Sequence, residues 1–73
     1  MQVIKAKNIK SENGKLYNWV FMAVDNPNEL TTQKGKNIFF VQGSIAWDVN
    51  SGKIYGLNGN AEWQEQSNIT LAL

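Results

Sequence analysis

Residues 15–24, KLYNWVFMAV, are apolar on both faces of any strand they form. With alternating side chains, Tyr17, Trp19, Phe21 and Ala23 take one side. Leu16, Val20, Met22 and Val24 take the other, with Asn18 the single polar interruption. A chain of 73 residues holds material for one core. One side is therefore core, and the other needs a cover: the chain's own ends, a second copy, or a partner. Leu16, Trp19, Val20, Ala23 and Val24 also fit a helical stripe. A strand is the better reading, because the residues are aromatic and β-branched, follow an Asn-Gly turn and run into Pro27.

Turn signals recur along the chain. Ser11-Glu12-Asn13-Gly14, Asn50-Ser51-Gly52 and Asn58-Gly59-Asn60 each close a hairpin. Residues 37–49 alternate through Gly43, with Phe39, Val41, Ile45 and Trp47 at odd positions. These odd positions are taken as the core side of one long strand bent at Gly43. Residues 61–73 alternate too, with Ala61, Trp63, Ile69, Leu71 and Leu73 on one face. Residues 53–57 form a short strand and residues 2–10 a weaker one. Asn26 as N-cap, Pro27 at the first position and Glu29 for a capping box mark a short helix or helical turn near residues 27–34, ended by Gly35.

These elements predict one domain spanning residues 1–73. It is mainly β: a small five-stranded antiparallel meander or barrel with one short helix. The strand order resembles OB-like and SH3-like small barrels at the level of architecture. No functional residue carries over from such a resemblance.

Catalysis lacks its parts. The chain has neither His nor Cys, so Ser11, Ser44, Ser51 and Ser67 have no imidazole to activate them and no thiolate is present. A Ser–Lys arrangement is formally open, but turn and strand serines explain the same residues. Glu62 and Glu65 fall on opposite strand faces. Asp48-Val49-Asn50-Ser51-Gly52 resembles a fragment of a calcium loop without its distal Glu, and a hairpin turn explains it as well. Gly56 and Gly59 precede no helix N-terminus of the kind a phosphate cradle uses. No enzyme, cofactor or metal is expected.

The aromatic set stands above background: Tyr17, Trp19, Phe21, Phe39, Phe40, Trp47, Tyr55 and Trp63 all lie on strands. Whatever the core leaves over is an apolar surface, which marks a binding site. The first expectation is a protein partner, or a homodimer, held by Tyr17, Trp19, Phe21 and Met22. The second is a single-stranded nucleic acid, with Lys5, Lys7, Lys10, Lys15 and Lys53 supplying charge. A net charge of only +1, with seven Lys and no Arg, weighs against the second. The longest apolar run, residues 19–24, is far short of the roughly 20 residues of a spanning helix, so no membrane role and a cytoplasmic location are expected. Abundant Asn and Lys without Arg fit a low-GC bacterium or one of its phages or mobile elements.

Overall fold

The structure, a computed structural model, describes residues 1–66. Seven strands lie among them: β1 (Gln2–Glu12), β2 (Lys15–Val24), β3 (Gln33–Lys34), β4 (Ile38–Phe40), β5 (Ile45–Asp48), β6 (Ile54–Leu57) and β7 (Trp63–Gln66). The expected mainly β class holds. The antiparallel meander does not: among the described residues the sheet is mixed and open, in the order β3-β4-β2-β5-β6-β7, with β1 on β2.

β2 organises everything else. Asn13 and Gly14 both have positive φ, at 52° and 77°, the geometry of the two-residue hairpin turn that Asn-Gly favours. β1 therefore folds back along one whole edge of β2, from Glu12↔Lys15 to Gln2↔Ala23. The other edge is shared. β4 pairs with its first half in parallel, Leu16↔Ile38 to Asn18↔Phe40. β5 pairs with its second half, also in parallel, Phe21↔Ile45 to Val24↔Asp48. Parallel pairing needs a long crossover, and residues 25–37 supply it. Their expected helix shrinks to a 3₁₀ turn at Pro27–Glu29, with the Asn26/Glu29 capping box in place. The rest of that segment is diverted into β3, which pairs with β4.

The expected long strand over residues 37–49 is broken in two at its glycine. Residues 41–44 form a turn closed by the Ser44 amide donating to the Val41 carbonyl at 3.1 Å, with Gly43 at φ 92°. That φ suits the third position of a type II turn, which glycine occupies without strain. The turn adds two residues between the β4 and β5 registers. Two is even, so the alternation survives it. Phe40 and Ala46, abreast of Asn18 and Met22, both enter the core.

The core is built on the even side of β2. Val20, Met22, Phe40, Ala46 and Leu57 form the buried cluster, and Leu30, Ile38, Tyr55, Trp63 and Val3 pack against it. Four of the seven buried hydrophobic side chains come from β2, each worth roughly 1.5–3 kcal/mol of burial. Trp63 pins the crossover over this core, its indole N–H donating to the Thr31 carbonyl at 3.0 Å. At the far end, Asp48 caps the β5–β6 turn, accepting from the Asn50 and Ser51 amides at 3.0 and 3.2 Å. Burial pushes its carboxyl pKa up. Hydrogen bonds from the Ser51 hydroxyl and these two amides, with the Lys53 charge, outweigh that and hold it below the ordinary aspartate value. β5, β6 and β7 complete an antiparallel hairpin series. The expected strand over residues 61–73 begins later, as β7: Ala61, at φ 60°, and Glu62 belong to the turn before it, and residues 67–73 lie outside the described residues.

Candidate binding face

The odd side of β2 faces away from the core, and the strand registers lay it out in rows. The first row runs Lys10, Tyr17, Phe39, Gln33 across β1, β2, β4 and β3. In the second, Lys7 stands abreast of Trp19, which reaches the 41–44 turn. The third runs Lys5, Phe21, Ile45, Gly56, Gln64, and the fourth Gln2, Ala23, Trp47, Ile54, Gln66. Lysines thus line one margin, aromatic and aliphatic side chains fill the middle, and glutamines stand on the opposite margin.

The lysine column depends on a defect in β1. Simple alternation puts Lys5 and Lys7 on one face and Lys10 on the other. The ladder, however, passes from Asn8↔Asn18 directly to Lys10↔Tyr17, leaving Ile9 as an unpaired bulge residue. That one extra residue turns Lys10 onto the face of Lys5 and Lys7. A second bulge at Ile4 does the same for the stretch before Lys5. Both bulge isoleucines are exposed, at 50% and 52%.

The rings are held in fixed poses. Tyr17 stacks on Phe39 with centroids 5.5 Å apart and planes at 23°. Lys10 Nζ lies 4.8 Å from the Tyr17 centroid, and Lys15 Nζ 5.7 Å from that of Phe39, within reach of a cation–π attraction. The Trp19 indole N–H donates to the Gly43 carbonyl at 2.7 Å, which ties the ring to the turn. Trp47 is 39% exposed.

Charge is segregated. The face carries Lys5, Lys7, Lys10 and Lys15 against the single carboxylate of Glu12, a surplus of three. The other side and the turns carry three lysines against five carboxylates, so the net +1 conceals a basic face. Lys10 lies 3.7 Å from Glu12, while Lys5, Lys7 and Lys15 pair with no carboxylate among the described residues.

Several expected site residues are placed elsewhere. Met22 is fully buried in the core, because it is at an even position of β2. Phe21 is on the outer face but 3% exposed; it is the floor of the face, not a contact. Lys53 is on the core side of the sheet, 3.5 Å from Glu65. Tyr17, Trp19, Lys5, Lys7 and Lys15 are on the outer face. Phe39 and Trp47, read from sequence as core, belong to this face too, since odd positions of β4 and β5 align with odd positions of β2. Parity shared with Tyr17 was their signal, and it was assigned to the wrong side.

Among the described residues no three His, Cys, Asp or Glu side chains cluster as a metal site. No helix there is long and apolar enough to cross a membrane. Comparison with protein-family models, curated proteins and solved structures returns no match.

Proposed function

We propose that this chain is a non-catalytic binding protein whose working surface is the outer face of the sheet. The observation that carries the reading is the alignment of Lys5, Lys7 and Lys10 with Phe21, Trp19 and Tyr17, row for row, beside an exposed Trp47. Such a face combines stacking surface with unneutralised charge, and neither is needed for the core on the other side. Tyr17, Trp19, Phe39 and Trp47 are the contact residues. Composition suggests a low-GC bacterium or one of its mobile elements as the setting, with a cytoplasmic location.

A protein partner, including a second copy of the chain, and a single-stranded nucleic acid compete for this face. Protein interface cores are depleted of charge, whereas here three lysines stand abreast of the rings. The lysine column therefore reverses the order expected from composition and puts nucleic acid first.

The test is the double variant Tyr17→Ser, Trp47→Ser. Its circular dichroism and thermal unfolding should match the parent, because both side chains are outside the core cluster. It should lose both oligonucleotide binding, followed by anisotropy, and any self-association, followed by light scattering on dilution. Association retained in full by a folded double variant would move the working surface elsewhere.

A further inference from the structure

We infer that the outer face takes an extended single strand of nucleic acid, its phosphates running along β1 past Lys10, Lys7 and Lys5 and its bases lying over the aromatic column of β2. This rests on the reading of the outer face as the binding surface and adds the class and the path of its occupant. The first support is charge complementarity. A surplus of three positive charges lies on one face of a nearly neutral chain, and Lys5, Lys7 and Lys15 have no carboxylate partner among the described residues. A polyanion supplies what these lysines lack.

The second support is spacing. Adjacent rows are two residues of strand apart, about 6.6 Å. The phosphates of an extended single strand can follow such a straight row of charges, whereas those of a duplex wind away from a flat face around the helix axis. The third is the middle of the face. Bases freed from stacking on each other need another surface: the exposed Trp47 and the anchored Trp19 indole offer one, and Lys10 and Lys15 open the Tyr17 and Phe39 rings when they leave them for phosphate. A base on an aromatic ring is worth about 1–3 kcal/mol. Without Arg, and with lysines acting as point charges on phosphate, recognition is tolerant of sequence.

The test uses the full chain with a fluorescein-labelled oligothymidylate and a labelled duplex, by anisotropy over a salt series. Three phosphate contacts at about 0.7 each give a slope of log affinity against log salt near −2 for the single strand. The variant Lys5→Gln, Lys7→Gln, Lys10→Gln should lose that slope and the low-salt binding with it. The variant Lys34→Gln, Lys36→Gln, Lys53→Gln removes the same net charge from outside the face and should keep both. Circular dichroism confirms that each variant is folded. Equal losses in the two triple variants, or tighter binding of the duplex than of the single strand, would overturn the inference. So would no oligonucleotide binding at all. If Tyr17→Ser, Trp47→Ser still abolished a self-association seen by light scattering, the face would remain the working surface with a protein as occupant. If that variant changed nothing, both readings would fall together.

Discussion

Ser44 shows how one side chain lets two strands share an edge. Between β4 and β5 the ladder on β2 lapses for two residues, and the Val20 amide there has no strand carbonyl to meet. The Ser44 hydroxyl accepts from it instead at 3.1 Å, in a site where Ser44 is completely buried. The same residue's backbone is committed as well, its amide to Val41 and its carbonyl to the Leu57 amide. Replacing Ser44 by Ala strands a buried N–H, which costs about 1–3 kcal/mol. Urea unfolding should report that loss with an unchanged m-value. A loss indistinguishable from zero would mean that water reaches the amide. Gln42 and Gly43 form the exposed tip of the same turn, so the sensitive position is the serine after them.

At the level of elements, β1 is both the longest strand and the one least visible in the sequence. Its two bulges each break the alternation, so residues 2–12 show no sustained period of two. Deleting Ile9 should therefore be tolerated. The residue opposes nothing on β2, and its removal leaves Lys10 opposite Tyr17 and Asn8 opposite Asn18. The variant is expected to keep the amide exchange pattern of β2 and the oligonucleotide affinity, with a straighter β1. A shift in the pairing of Lys5 and Lys7, seen as lost affinity, would show that the bulge persists and that the register is set from the hairpin end. β2, the Asn13–Gly14 turn, the Asn26/Glu29 capping box and the β6–β7 pairing were all legible, because each rests on a local pattern. The parallel pairing of β4 and β5 was not, since a period of two is the same in parallel and antiparallel ladders. The binding face was half legible. Tyr17 and Trp19 were found, but the side assigned to Phe39 and Trp47 depended on which face of β2 was core, and both faces are apolar.

For the whole molecule, the consequence is a hierarchy of stability. β2 has both edges paired and supplies more of the core than any other strand, so its interior amides open only when the protein unfolds. Among the described residues β1 has one paired edge and one outer edge, and nearly all its residues are exposed. Native-state hydrogen exchange should find Val20, Met22 and Val24 protected to the global free energy. Alternate residues of β1, those with outward amides, should exchange freely. Uniform protection across β1 would reveal a partner on its outer edge. The two bulges at Ile4 and Ile9, each followed by a lysine, also work against this long edge templating another strand. β2 acts as a ruler against which three other strands are measured. A length change inside it must be matched on β1 and on β4 or β5 together, and the seam at Gln42 and Gly43 gives only in steps of two residues, since an odd step would turn β5 over. An insertion or deletion inside β2 therefore throws both of its edges out of register at once.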